Sequence, residues 1–142
     1  MYRHILIPTD GSDLAEHGVA HGLALAKSLG AKVSVIFVVE PFSEMTGRFL
    51  EAVARYAELR KEQATSVLDR AANAAKEAGV SCKTFQVENG QPYQAIIAAA
   101  EDKGCDLIVM SSHGRSGLSM LLIGSVTNKV LTHAKTPVLV CQ

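Results

Sequence analysis

The chain has 142 residues and a mass of 15.1 kDa, which fits one domain with its own hydrophobic core. Its composition, 48% hydrophobic and 20% charged, is that of a globular protein and excludes a disordered or low-complexity chain. Fourteen Lys and Arg residues offset fourteen Asp and Glu residues, so net charge gives no support for binding to nucleic acid or to an anionic membrane.

The sequence favours a cytoplasmic protein. No apolar run approaches the ~20 residues that cross a bilayer, and the first residues lack both the long apolar stretch and the cleavage site of a signal peptide. Cys82, Cys105 and Cys141 are an odd number of cysteines without a CxxC pair, which predicts reduced thiols rather than disulfides or a zinc site.

Short apolar runs rich in β-branched residues alternate with longer segments of helical character. The runs are 5–7, 33–39, 82–87, 107–110 and 138–140. Runs without polar alternation are typical of strands covered on both faces. We therefore predict an α/β fold over residues 1–142, a single β-α-β-α-β-α-β-α-β domain with an open five-stranded parallel sheet, helices on both faces and right-handed crossovers.

The first helix has clear start and stop signals. Ser12 is suited to cap its beginning, and Gly30 supplies the left-handed residue after its end. The apolar face is predicted at Leu14, Gly18, Gly22, Leu25 and Leu29. The two glycines on this face predict a close approach of the helix to the sheet.

The other helices are bounded by glycine and proline. The second helix is predicted to end at Gly79 and to begin as early as Thr46, although Arg60 interrupts its apolar stripe. The third extends from about Pro92 to Lys103, and the last from Ser125 to about His133.

Four loops follow the carboxyl ends of the strands, where open parallel sheets bind ligands. They are 8–12, 40–42, 88–92 and 111–117. The fourth is rich in hydroxyl groups and glycine and leads to Gly124 and Ser125 at a helix start. Because glycine lets backbone amides approach an anion and a helix N-terminus offers N–H donors, this loop indicates phosphate binding, with a purely structural turn as the alternative. It matches neither the P-loop nor the dinucleotide fingerprint.

Three stretches of sequence resemble the universal stress protein family. They are Ile-Leu-Ile-Pro-Thr-Asp-Gly-Ser at 5–12, Asp-Leu-Ile-Val-Met-Ser-Ser-His-Gly-Arg at 106–115, and Gly-Ser-Val at 124–126 followed by Thr-Pro-Val-Leu-Val at 136–140. The resemblance extends over essentially the whole chain. It implies a Rossmann-like fold of the adenine nucleotide alpha hydrolase-like type.

The resemblance also implies a nucleotide site. ATP-binding members of the family carry G-x2-G-x9-G-[S/T] after the fourth strand; Gly114, Gly124 and Ser125 match this motif, and Ser111 stands where the first Gly is expected. By resemblance, the three matching residues hold phosphates, Asp10 and the residues near Val39 face the adenosine, and Mg²⁺ accompanies ATP. Further candidate contacts in the same loops are Pro8, Thr9, His113, Arg115, Gly117 and Val126.

Two of these residues have plainer alternatives. Asp10 precedes Gly11 and Ser12 and is also suited to a turn or a helix cap. His113 is expected to be a solvent-exposed loop histidine rather than a ligand contact, and it has no carboxylate beside it in the sequence to support general base catalysis. We assign no catalytic residue and no metal ligand.

The last strand predicts a homodimer. Residues 136–142 are mainly apolar, and an edge position would leave backbone groups unpaired. Pairing with a second copy would remove these exposed groups, and the family commonly dimerises through its last strand.

The predicted function is binding of ATP in a sensing or signalling role in the stress response, together with a protein partner that the sequence does not identify. One alternative is a slow ATPase, for which we expect at most weak hydrolysis because the phosphate loop has no lysine. The other is a protein that binds no nucleotide and acts through dimerisation and partner contact.

Overall fold

The chain folds into alternating strands and helices, as predicted. The structure is a computed structural model that describes residues 1–41, 50–113 and 123–142. In chain order the elements are β1 (His4–Pro8), α1 (Asp13–Leu29), β2 (Lys32–Val39), α2 (Leu50–Ala78), β3 (Cys82–Glu88), α3 (Pro92–Asp102), β4 (Leu107–Ser111), α4 (Ser125–His133) and β5 (Val138–Cys141).

The strands form a five-stranded sheet in the order β3-β2-β1-β4-β5, and each neighbouring pair is parallel. In the centre, Ile5 lies opposite Val33 on one side and Leu107 on the other. The chain builds outward from β1 to β3 and then crosses to β4, so the direction of winding reverses between β1 and β4. β5 is an edge strand, which is the condition on which the predicted homodimer depends.

Helices cover both faces of the sheet. Ile5 and Ile7 of β1 belong to a core that includes residues of α1 and α2, whereas Leu6 belongs to a second core with residues of α3 and α4. Because successive side chains of a strand point to opposite faces, a strand buried on both sides needs apolar residues at consecutive positions. The two cores therefore account for the continuous apolar runs in the sequence.

Helix α1 begins and ends where its sequence predicts, but its buried face is different. The Ser12 hydroxyl accepts a hydrogen bond from the Ala15 N–H at 3.2 Å, and Gly30 has a φ of 67°. The predicted face was wrong for Leu29, which is 38% exposed. Leu14 is half-buried, and Leu25 is half-buried and packs against the core. The buried residues are Ala15, Gly18, Val19, Gly22, Leu23 and Ala26.

The reason is the close contact between α1 and the sheet. A Cβ atom at Gly18 would lie 3.2 Å from the backbone nitrogen of Ser111, and one at Gly22 would meet the Ile7 side chain. The helix therefore has glycine at its two closest contacts with the strands, and Leu14, Leu25 and Leu29 lie beside the buried face. The predicted close approach at the two glycines is confirmed.

Helix α2 extends over 29 residues, from Leu50 to Ala78, and Gly79 follows it with a φ of 72°. Its earliest predicted start, Thr46, lies outside the described residues. Although α2 is long, none of the helices in the described ranges offers the length of apolar sequence that a bilayer crossing demands.

The three cysteines are free thiols, as predicted. Burial raises the pKa of each thiol above its ordinary value, and for Cys105 it contributes most to a pKa of about 11. These thiols are therefore protonated at neutral pH, which makes them poor nucleophiles and poor metal ligands.

Candidate functional site

A cavity of about 310 Å³ lies at the carboxyl ends of the strands, where β1 and β4 diverge. Its lining residues come from most of the elements of the fold. They are Pro8, Thr9, Asp10, Ala15, Ile36, Val38, Glu40, Arg60, Pro92, Ile96, Met110, Ser111, His113, Gly124, Ser125, Val126 and Thr127. The position agrees with the general rule for ligand sites in open parallel sheets.

The lining combines apolar and polar groups. The apolar part includes Ile36 and Val38 of β2, Ile96 of α3 and Met110 of β4. The polar part comes mainly from the loop after β1, the end of β4 and the start of α4. A cavity of this kind is suited to a ligand with one flat apolar portion and one highly polar portion.

The turn after β1 is fixed by local hydrogen bonds. The Asp10 carboxylate accepts a hydrogen bond from the Ser12 N–H at 2.9 Å, and the Thr9 hydroxyl accepts one from the Gly11 N–H at 3.2 Å. Gly11 has a φ of 82°, which explains the glycine at this position. Asp10 is therefore a turn residue, which was the alternative prediction for it. It also lines the cavity.

The end of β4 is joined to α4 by two hydrogen bonds. The Thr127 hydroxyl donates to the Ser111 carbonyl at 2.9 Å, and the Gly124 N–H donates to the Ser112 carbonyl at 2.7 Å. Ser111 is the last residue of β4 and does not have a positive φ, so its backbone requires no glycine. Its hydroxyl donates to the His113 carbonyl at 2.7 Å.

His113 is only 4% exposed, so its expected exposure to solvent was wrong. Its Nδ1 lies 3.0 Å from the Ser112 hydroxyl oxygen, and its carbonyl accepts the bond from Ser111. Ser111 and Ser112 thus both contact His113, which follows β4 directly. The Nε2 atom is buried and has no hydrogen-bond partner among the residues that the structure describes.

Helix α4 starts at the cavity. Gly124 precedes it, with no side-chain cap, and the first bond within the helix joins the Asn128 N–H to the Gly124 carbonyl at 2.9 Å. The N–H groups of the first turn come before this bond and therefore have no partner within the helix. Such a terminus is suited to an anion.

Arg60 is a cavity residue that the sequence analysis did not assign to the site. Its guanidinium carbon lies 5.6 Å from the centroid of the Phe37 ring, and its Nη1 donates to Gln63 Oε1 at 2.7 Å. The sequence contains a signal for this residue, because Arg60 is the charged residue that interrupts the apolar stripe of α2. A charge on a buried helix face needs a polar environment, and here that environment is the cavity.

The structure brings together most of the candidate residues. Pro8, Thr9, Asp10, Ser111, His113, Gly124, Ser125 and Val126 all line the cavity. The Val39 side chain does not, because it is 5% exposed and buried in the core beneath α1 and α2. The alternation along β2 places Val38 in the cavity instead. Gly114, Arg115 and Gly117 lie outside the described residues.

Other lining residues were not predicted individually. Glu40 and Pro92 fall in loops that the strand-end rule selected, whereas Ile36, Ile96, Met110 and Thr127 lie within strands or helices. Their contribution depends on which face of each element meets the cavity. The described residues contain no group of three or more His, Cys, Asp or Glu residues that could hold a metal ion.

The chain is similar to universal stress proteins over its whole length. Residues 1–142 match the model of the universal stress protein family. The chain is 39% identical over 143 residues to the universal stress protein MJ0531 of Methanocaldococcus jannaschii, an alignment that covers 100% of this chain and 83% of that protein.

Two solved structures are similar in fold and in sequence. The structure of the protein MJ0577 of the same organism has a TM-score of 0.76 and 31% identity, covering 99% of this chain and 95% of that one. A universal stress protein in complex with cAMP has a TM-score of 0.71 and 26% identity, covering 99% and 97%.

Proposed function

The chain belongs to the universal stress protein family, and from this premise we propose that it binds an adenine nucleotide, ATP with Mg²⁺, in the cavity between β1 and β4. In this proposal the protein acts through its bound state, in a sensing or signalling role in the stress response. A bound nucleotide can favour one conformation or one protein partner only through its differential affinity for that state. We expect at most slow ATP hydrolysis, since no lysine is found among the described lining residues.

The observation that carries the proposal is the His113 imidazole. Its Nε2 is buried without a partner among the described residues, in a cavity that also receives the start of α4. A buried polar atom that makes no hydrogen bond costs about 1–3 kcal/mol, so a polar ligand that supplies a bond to Nε2 would be favoured. The related structure in complex with cAMP supports an adenine nucleotide as that ligand.

The chemistry of the lining suits the two parts of a nucleotide. Ile36, Val38, Ile96 and Met110 offer apolar contacts for a purine ring. Gly124 and Ser125 at the start of α4 offer backbone donors for phosphate oxygens. By resemblance, Gly114 belongs to the same phosphate site.

Mg²⁺ would be held mainly by the phosphates of the nucleotide. This cation keeps several of its waters and uses one or two carboxylates beside substrate phosphates, so it does not require a cluster of acidic residues. The carboxylates that line the cavity are Asp10 and Glu40. The bound cation would neutralise part of the phosphate charge.

We also propose a homodimer, formed through β5. This strand is an edge of the sheet, and Leu139 on it is 37% exposed. An apolar edge strand is favourably paired with a second copy. If the protein binds no nucleotide, this surface supports the second candidate function, partner contact without a ligand.

The free thiols fit a reducing compartment, and on this ground we propose a cytoplasmic location.

Titration calorimetry of the nucleotide-free protein with Mg-ATP, Mg-ADP and AMP tests the proposed site. The informative variant is Gly124→Asp, because aspartate is a favourable N-cap residue but its charge repels phosphate. The matched control is Gln91→Asp, which adds the same negative charge at the N-cap of α3. Gln91 is not among the residues that line the cavity. We expect saturable ATP binding by the wild type and the control and its loss in Gly124→Asp; absence of binding by the wild type would contradict the proposal.

A further inference from the structure

Arg60 lies on the buried side of α2. Ala64 and Val67, four and seven residues further along the helix, are fully or nearly fully buried against the sheet. Position 60 continues this face by one turn, toward the carboxyl ends of the strands, where it becomes part of the cavity lining. The helix thus places a permanent positive charge where its own periodicity calls for an apolar residue.

The contacts of Arg60 hold its side chain but do not use all of its donors. The guanidinium carbon is 5.6 Å from the Phe37 ring centroid, within the range of a cation–π contact, and Nη1 donates to Gln63 at 2.7 Å. The Nε atom is buried and has no hydrogen-bond partner among the described residues. Since a guanidinium can only donate, this Nε–H requires an acceptor.

A second buried nitrogen without a partner points to the same place. Within the described ranges, the buried side-chain nitrogen and oxygen atoms without a hydrogen bond are Arg60 Nε and His113 Nε2. Both residues line the same cavity, although Arg60 belongs to α2 and His113 follows β4. The Arg60 Nε–H needs an acceptor, whereas His113 Nε2 donates or accepts according to the tautomer set at its Ser112 contact, so the need for an acceptor at this cavity rests on Arg60.

The charges of the lining favour a phosphate as the acceptor for Arg60. Asp10 and Glu40 bring two carboxylates to the cavity, and Arg60 is the permanently charged cation among the described lining residues. A nucleotide without a bound cation would be repelled by these carboxylates, and Mg²⁺ offsets only part of the phosphate charge of ATP, so Arg60 supplies a further positive charge. A guanidinium is suited to this task because it binds phosphate oxygens through several parallel hydrogen bonds.

We propose that Arg60 binds the phosphate chain of the nucleotide, so that α2 supplies a cationic contact for the ligand from outside the glycine motif. This inference rests on the proposed function and adds a residue that sets the preference among ligands by their phosphate charge. Affinity then depends on Arg60 for ATP, ADP and AMP, and does not depend on it for adenosine.

The test compares the affinities of Arg60→Met and the wild type for Mg-ATP, Mg-ADP, AMP and adenosine at one ionic strength. We expect Arg60→Met to lose about tenfold or more in ATP affinity, the usual effect of one charge-assisted hydrogen bond, and to keep its adenosine affinity. Arg60→Lys retains the charge without the Nε donor and is expected to recover only part of the loss. The control is Arg55→Met on an exposed position of α2 outside the cavity, with unchanged affinities.

The outcomes are distinguishable. If the wild type binds none of the four ligands, the proposed function fails and this inference fails with it. If the wild type binds ATP and Arg60→Met binds it equally well, Arg60 is not a phosphate contact and the proposed function stands. Equal losses for adenosine and ATP would place Arg60 on the nucleoside and overturn the proposal. Should Arg60→Met not fold, as judged by circular dichroism, Arg60→Gln provides the neutral variant for the same comparison.

Discussion

The Thr127 hydroxyl donates a hydrogen bond to the Ser111 carbonyl at 2.9 Å, and both residues are buried. This bond joins the first turn of α4 to the last residue of β4. Both residues line the cavity, so the position of the helix start relative to the sheet depends on a hydroxyl group inside the site itself.

Thr127→Val keeps the shape of the side chain and removes its donor. We expect it to lower the free energy of unfolding by about 1–2 kcal/mol, because the Ser111 carbonyl loses a buried partner. Thr132→Val is the control on the same helix, since its hydroxyl donates to the Asn128 carbonyl at 2.8 Å on an exposed face. It should change the unfolding free energy by less than about 0.5 kcal/mol in urea denaturation. Equal effects of the two substitutions would contradict this account.

Gly11→Ala is expected to destabilise the protein more than Gly30→Ala. Both glycines have positive φ, at 82° and 67°, so each alanine carries the backbone cost of about 1–2 kcal/mol. Only at Gly11 does the added Cβ meet an obstacle, 2.7 Å from Val67 Cγ2, whereas nothing lies within 4 Å at Gly30. Thermal and urea unfolding of the two variants measure the difference between their free energies of unfolding. Equal destabilisation by the two substitutions would show that α2 moves aside and that the contact with Val67 is not an obstacle.

His4 makes stability depend on pH. It is buried, and its Nε2 lies 2.8 Å from the Ser34 hydroxyl oxygen. Burial, and then the nearby charge of Lys32, lower the pKa of His4 below its ordinary value of 6.5. Just below pH 6.5 the unfolded chain therefore binds a proton that the folded chain does not, and the free energy of unfolding falls as the pH decreases.

The measurement for His4 is the free energy of unfolding between about pH 7.5 and about pH 5.5. His4→Gln should show a smaller decrease over this range than the wild type. A wild-type slope in His4→Gln would assign the pH dependence to other groups.

Asp106 stabilises the start of β1 in its ionised form. Its carboxylate accepts hydrogen bonds from the backbone N–H groups of Arg3, at 2.9 Å, and His4, at 3.0 Å. Desolvation acts to raise the pKa of Asp106, but the hydrogen bonds from His4 and Arg3 outweigh it, and the pKa is lowered from 3.8. This stabilisation is present above pH 3.8 and is lost as the pH falls through the lower pKa of the folded state.

Asp106→Ala should therefore reduce the free energy of unfolding by about 1–2 kcal/mol at neutral pH, with a smaller penalty in acid. Asp102→Ala, at an exposed position near the end of α3, is the control and should have little effect. Acid titration followed by circular dichroism compares the three proteins. A penalty for Asp106→Ala that is independent of pH would show that the ionised carboxylate is not the stabilising species.

The strands and the ends of α1 were predictable because their sequence signals depend on neighbouring residues only. A strand buried on both faces needs an unbroken apolar run, and the ends of α1 are set by Ser12 and Gly30, whose chemistry requires nothing from distant residues. The loops around the cavity followed from the same prediction, since open parallel sheets bind ligands at the carboxyl ends of their strands, whereas the strand order that places the cavity between β1 and β4 was not predicted.

The parts that were not predicted depend on contacts between distant elements. His113 is buried and contacts Ser111 and Ser112, although a histidine in a hydroxyl-rich loop is usually exposed. The buried face of α1 depends on its distance from the sheet, which requires glycine at positions 18 and 22 while Val19 and Leu23 are buried on the same face. At the end of β2, selecting Val38 rather than Val39 requires knowing which face the cavity occupies.

The N–H of Ser112 donates to the carbonyl of Cys141, the last residue of β5, at 2.8 Å. Its amide hydrogen can exchange with deuterium only when this bond opens, so the exchange rate of one amide reports fraying at the edge of the sheet. Ser112 also contacts the His113 imidazole. If the proposed nucleotide occupies the cavity, we expect the protection of this amide to increase on adding nucleotide, so that one exchange signal would report both the pairing of β4 with β5 and the proposed ligand.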